Sequence, residues 1–164
     1  MKVAVLTISD RAFRGTRKDA SGPALAEAVR ARGWEVALLE VLPDERERIA
    51  ERLRELSGKV DLILTTGGTG LSPRDVTPEA TLDVVERRVP GIPEAMRAEG
   101  LKRTPTAMLS RGEAGVLSGT LIVNLPGNPK GALECLKAVG DALAHAVEVA
   151  QGRGEHGGMG GEAM

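Results

Sequence analysis

Four short aliphatic and β-branched runs, each leading straight into a polar or glycine-rich segment, most narrowly limit how this chain can fold. They are KVAVLTIS at 2–9, WEVALLEVL at 34–42, VDLILTT at 60–66 and the strand-like TLIVNL at 120–125. The first is continuous, as expected of a strand buried on both faces. Between the runs, apolar residues recur at helical spacing. Leu25, Ala28 and Val29 mark a helix capped by Ser21 and ended near Arg32 by Gly33. Ile49, Leu53 and Leu56 mark another, opened by Asp44 and ended by Gly58, and Thr77-Pro78 starts a third with Leu82, Val85 and Val89 on its inner face. The stretch 90–112 is broken by Pro90, Pro93 and Pro105, which predicts short helices and loops. A Ser-Gly turn precedes the fourth run, and a final helix from Pro129 carries Leu136, Val139, Leu143 and Val147.

Strands alternating with helices predict an α/β fold: one three-layer domain, residues 1–151, whose mostly parallel sheet is flanked by helices on both faces. Residues 152–164, rich in glycine, read as a flexible tail. In such sheets ligands bind beyond the carboxyl ends of the strands. Those ends are TISDR, LPDE, TTGGTG and NLPGNPK, so every unusual segment is predicted to fall on one edge.

Gly67, Gly68 and Gly70 in TTGGTG suit an anion-binding nest, in which the backbone approaches a ligand and turns its N–H groups inward. A tight turn needs fewer glycines, and neither the Walker spacing nor the dinucleotide fingerprint is present. Asp75, just beyond, either bridges to phosphate through Mg2+ or else turns the chain or pairs with Arg74. Asp44 in PDERE reads from spacing as an N-cap, with Glu47 completing a capping box. Lys130 at the NLPGNPK turn could meet a phosphate, or the turn is simply a stiff connection. Ser9-Asp10-Arg11 offers ligand contacts or a hydrogen-bonded turn, and Ser110-Arg111 an anion contact or an exposed arginine.

Composition removes several classes of function. One Trp, one Phe and no Tyr leave no stacking platform for bases, and a net charge of −1 supplies no field toward nucleic acid or a membrane. No apolar stretch reaches the ~18–20 residues of a spanning helix. The N-terminus lacks a signal-peptide pattern, so a cytoplasmic protein is expected. The single cysteine, Cys135, reads as a small core residue, and His145 and His156 form no catalytic pair.

Seven segments, in order, resemble the molybdenum cofactor biosynthesis proteins of the MogA/MoaB type, the molybdopterin adenylyltransferases. They are ISDRAFRG at 8–15, DASGPAL at 19–25, LPDE at 42–45, TTGGTGLSPRDVTPEAT at 65–81, PGIPEAMR at 90–97, MLSRGEAGV at 108–116 and LIVNLPGNPKGALECL at 121–136. The resemblance implies a molybdopterin-binding-type fold that transfers AMP from Mg-ATP to the terminal phosphate of molybdopterin, with Mg2+ as cofactor. It also implies a homotrimer or dimer of trimers and hand-off to the molybdate-insertion protein. By position, Asp44 and Asp75 match the two acidic residues that organise Mg2+ and the reacting phosphates, which reverses the capping reading of Asp44. Thr66, Gly67, Gly68, Thr69 and Gly70 match the pterin-phosphate loop, and Ser9, Asp10, Ser110, Pro126, Gly127 and Pro129 match further ligand positions. The rival expectations are a non-catalytic pterin-binding scaffold of the same fold and a nucleotide-dependent oxidoreductase.

Overall fold

The computed structural model describes residues 1–153; most of the predicted flexible tail, 154–164, lies outside the described residues. In chain order the elements are β1 (Lys2–Ile8), α1 (Asp10–Arg14), α2 (Ser21–Ala31), β2 (Glu35–Leu42), α3 (Arg46–Leu56), β3 (Leu62–Thr66) and α4 (Thr77–Val84). They continue with β4 (Arg87–Arg88), α5 (Gly91–Leu101), a 3-10 turn at Pro105–Leu109, β5 (Ala114–Leu117), β6 (Thr120–Leu125) and α6 (Pro129–Ala150).

The sheet runs β2-β1-β3-β6-β5-β4. β2, β1, β3 and β6 are mutually parallel, while β5 and β4 add an antiparallel edge. The expected α/β three-layer architecture is therefore present. Successive strand side chains alternate between faces, and this divides the core in two. Val3, Val5, Leu62, Leu64, Leu121, Val123 and Leu125 pack with α2, α5 and α6 through Leu25, Val29, Met96, Leu136 and Leu143. Ala4, Leu6, Ile8, Ile63 and Ile122 meet Ile49, Leu53, Ala80 and Val84 of α3 and α4 on the other face.

Several local expectations are corrected by long-range contacts. The polar stretch after β1 contains a helical turn, because the Ser9 hydroxyl accepts the Ala12 N–H and Gly15, at φ 78°, ends α1. Ser21 is the first residue of α2 rather than its cap; the Asp19 carboxylate accepts the Gly22 N–H instead. Asp44 does not cap α3, whose N-cap residue is Glu45 without a side-chain bond, so the capping box with Glu47 does not form. Thr77 is likewise not a cap. Its buried hydroxyl donates to the Gly67 carbonyl, and this turns Ala80, Thr81 and Val84 inward while Leu82 stays exposed. Helix α4 ends at Val84, so Val85 and Val89 lie beyond it.

Asn124 ties the core together where β6 nears its carboxyl end. Its Nδ2 donates to the Thr65 and Thr81 hydroxyls at 3.0 and 2.9 Å, and its Oδ1 accepts the Glu113 N–H at 3.0 Å. The residue is buried, so all three partners would be left without it in a dry environment. Asn124→Leu is expected to cost about 2–4 kcal/mol, read as a shift in the urea midpoint at unchanged slope. An unchanged midpoint would refute the network.

Candidate active site

The carboxyl ends of β1, β2, β3 and β6 do converge, and they form two clefts rather than one. The larger, about 620 Å3, is lined by Ser9, Asp10, Asp44, Thr66, Gly67, Gly68, Asp75, Gly127 and Pro129. The second, about 470 Å3, is lined by Thr69, Gly70, Ser110, Pro126 and Lys130 together with Pro93, Met96 and Leu109. Asn128 borders both. The glycine loop and the NLPGN turn form the ridge between them. The structure thus distributes the expected site residues over two adjoining compartments, one polar and one partly apolar.

Two turns pack closely to build this ridge. The Thr66 hydroxyl donates to the Pro126 carbonyl at 2.7 Å, so it ties loop to turn. A Cβ on Gly127 would approach Gly67 Cα to 3.2 Å. Gly67 and Gly68 have φ of 104° and 71°, a region that L side chains rarely enter. The Gly67 N–H is taken by the Leu125 carbonyl. Among the described residues, the N–H groups of Gly68, Thr69 and Gly70 donate to no protein acceptor. Three successive unpaired amides on a glycine loop are what an anion nest requires.

Asp44 and Asp75 both stand against this loop, at different glycines. An ideal Cβ on Gly68 would lie 3.2 Å from Asp44 Oδ1, and one on Gly70 would lie 2.9 Å from Asp75 Oδ2. Asp44 Oδ2 accepts the Asp10 N–H at 2.8 Å, and the Asp44 N–H donates to Asp10 Oδ1 at 2.9 Å. Oδ1 of Asp44 takes no hydrogen bond among the described residues. Burial pushes the Asp44 carboxyl above the usual carboxylate range; the Asp10 amide opposes this, and the charges of Asp10 and Asp75 add to it. Asp75 turns the chain, accepting the Ser72 N–H at 3.0 Å, and leaves its other oxygen without a protein donor among the described residues. It does not pair with Arg74, whose guanidinium holds Asp10 Oδ2 at 2.8 and 3.0 Å. Burial alone would raise Asp10, but the bonds from Arg74 and the Asp44 amide hold it below the ordinary value.

Arg111 is the residue whose role spacing does not reveal. It is neither free for an anion nor exposed. Its guanidinium donates to the carbonyls of Gly70 and Asp75, each at 2.8 Å, and to Glu79, while its own N–H meets the Thr69 carbonyl. The Arg111 bond holds Glu79 below the ordinary carboxylate value despite burial. One side chain thus fixes both ends of the 69–75 loop. Arg111→Met is expected to raise amide exchange across residues 68–75 by about 10–100-fold; unchanged protection there would refute the clamp. Ser9 and Asp10 resolve as a hydrogen-bonded turn that also faces the larger cleft. Cys135 is half-buried beside the second cleft with its thiol pushed up to about 11 by burial, so it is a poor nucleophile.

A family model described as "Probable molybdopterin binding domain" matches residues 4–145. The chain is 42% identical over 158 residues to the molybdopterin adenylyltransferase of Helicobacter pylori J99, covering 92% of this chain and 88% of that protein. It is also 42% identical to the Escherichia coli K12 molybdopterin adenylyltransferase, covering 90% and 77% respectively. Among solved structures, the molybdopterin biosynthesis enzyme MoaB from Thermus thermophilus is 50% identical with a TM-score of 0.87, over 93% of this chain and 98% of that one.

Proposed function

Because the chain belongs to the molybdopterin-binding domain family of molybdenum cofactor biosynthesis, we propose that it is a molybdopterin adenylyltransferase. It transfers AMP from ATP to the terminal phosphate of molybdopterin and releases pyrophosphate. The observation that carries this reading is the pair Asp44 and Asp75, each with an oxygen free of protein donors among the described residues, beside an unpaired-amide loop.

The two compartments suit the two reactants. The second cleft offers Pro93, Met96 and Leu109 beside the polar groups of Ser110 and Asn128, matching a flat heterocycle with polar edges. The larger cleft carries the charged groups that polyphosphate demands. A terminal phosphate on the 67–70 loop then stands at their junction.

The donor set also suits Mg2+. The described residues contain no cluster of three or more acidic, His or Cys side chains able to hold a metal alone. Two carboxylates leave the remaining positions for phosphate oxygens and water, the usual arrangement for this ion. When bound, Mg2+ supplies charge neutralisation at the reacting phosphates. Asp44 and Asp75 would hold it, and its charge would oppose the burial, and secondarily the neighbouring carboxylates, that raise Asp44. The chain itself supplies alignment. The attacking phosphate oxygen is already anionic, so no protein base is needed; the Gly68–Gly70 amides orient it and Arg111 keeps the loop in place.

The deciding experiment is incubation with molybdopterin and Mg-ATP, followed by direct detection of adenylylated molybdopterin and pyrophosphate. Pterin binding without ATP consumption would instead make the protein a non-catalytic binder. The same reading gives a homotrimer or dimer of trimers, checked by sedimentation, which passes its product to the molybdate-insertion protein in the cytoplasm. No described helix is long and apolar enough to cross a membrane.

A further inference from the structure

The segment between β1 and α2 is an arch across the larger cleft, held at both ends. At its start, Asp10 is locked to Asp44 by two reciprocal bonds, each backbone N–H donating to the other's carboxylate, and to Arg74 by its second carboxylate oxygen. At its end, Asp19 accepts the Thr7 hydroxyl at 2.8 Å and the Gly22 N–H at 3.0 Å. A Cβ on Gly22 would sit 2.4 Å from both Asp19 Oδ2 and the Thr7 hydroxyl, so a side chain there would displace this anchor. The Phe13 ring of α1 lies 4.9 Å from the Arg48 guanidinium of α3.

Between the anchors stand Arg11, Arg14, Arg17 and Lys18, and all four line the cleft. All are exposed, and none has a salt-bridge partner among the described residues. The cleft's fifth cation, Arg74, is already spent on Asp10. The cleft is therefore of mixed charge: the carboxylates of Asp10, Asp19, Asp44 and Asp75 line it together with these cations. Four cations on one short segment, none in a salt bridge among the described residues, gain from a polyanion.

We propose that the arch cations Arg11, Arg14, Arg17 and Lys18 form the seat of the β- and γ-phosphates of ATP and of the departing pyrophosphate. This inference rests on the adenylyltransferase reading. In that reaction an oxygen of the molybdopterin phosphate forms a bond to the α-phosphorus. The bond from the α-phosphorus to the oxygen bridging to the β-phosphate breaks, and that oxygen leaves with the electron pair as part of pyrophosphate. Negative charge grows on the leaving group, and cations preset on the arch stabilise it there. The molybdopterin phosphate, held on the loop amides, does not depend on them.

The test is calorimetric titration of the protein alone with Mg-pyrophosphate, comparing the wild type with Arg14→Gln/Arg17→Gln/Lys18→Gln. These residues are exposed and outside the core, so folding should be retained, which circular dichroism checks. The triple variant is expected to bind pyrophosphate roughly 30-fold more weakly, about threefold per exposed cation, with the difference shrinking at high salt. Its KM for ATP should rise in parallel, while molybdopterin affinity measured without nucleotide changes less than twofold. An unchanged pyrophosphate affinity, or an equal loss of molybdopterin affinity, would overturn the assignment. Wild-type protein that binds pyrophosphate through these cations yet forms no adenylylated product would instead defeat the adenylyltransferase reading and leave the seat standing.

Discussion

Asp75→Ala and Asp44→Ala are each expected to lower the rate of adenylylated molybdopterin formation by about 100–1,000-fold, the scale on which removing a transition-state charge contact acts. Alanine changes more than charge at these positions, because Asp75 also accepts the Ser72 N–H and Asp44 the Asp10 N–H. The asparagine variants separate the two effects. An amide oxygen can still accept those backbone bonds, so the loop and the arch keep their anchors. Only the anionic charge and its affinity for a cation are lost. If Asp75→Asn and Asp44→Asn fall nearly as far as the alanines, the charge is what matters. Molybdopterin should still bind all four variants, since the loop amides remain. Turnover near the wild-type rate in both alanine variants would refute the mechanism.

Gly67→Ala is expected to damage fold and site together. The added Cβ would meet the Ile8 carbonyl oxygen at 2.3 Å, and this oxygen belongs to β1, the strand between β2 and β3 at the centre of the parallel region. Neither backbone can retreat far: the Gly67 N–H is bound to the Leu125 carbonyl, and the Gly67 carbonyl accepts the Thr77 hydroxyl. At φ 104° an alanine would be strained even without the clash. A loss of about 2–4 kcal/mol follows, or ~5–15 °C in Tm for a domain of this size. Molybdopterin affinity should fall at least tenfold at temperatures where the variant remains folded. Wild-type melting would mean that the loop adopts another path. Gly68→Ala makes a useful partner, because its Cβ would strike the Thr77 hydroxyl rather than a backbone atom.

The two-cleft arrangement also bears on the oxidoreductase alternative. The loop after β3 lacks the dinucleotide fingerprint, and its space is divided by the ridge of Gly67 and Gly127 rather than left as one crevice. A dinucleotide needs its pyrophosphate and both nucleosides in continuous register along the strand ends. Family membership excludes that alternative independently.

Much of this protein can be read directly from residue order. The strands at Lys2–Ile8, Leu62–Thr66 and Thr120–Leu125, and the helices ended by Gly33 and Gly58, follow from local chemistry: β-branched apolar runs, helical spacing and left-handed glycines act over a few neighbours. The same local logic places TTGGTG, LPDE and NLPGNP at strand ends, and a parallel sheet then brings them to one edge. What lies beyond it is the assignment of individual polar atoms. Asp44 has an ideal capping position before α3, yet its carboxylate turns to the Asp10 amide 34 residues away. Arg74 passes over its neighbour Asp75 for Asp10, 64 residues earlier, and Arg111 spans 36 residues to the Asp75 carbonyl. Each such choice weighs a local bond against a distant one of similar strength. The decision depends on which groups the folded sheet brings within hydrogen-bonding reach, and local spacing carries no trace of that distance.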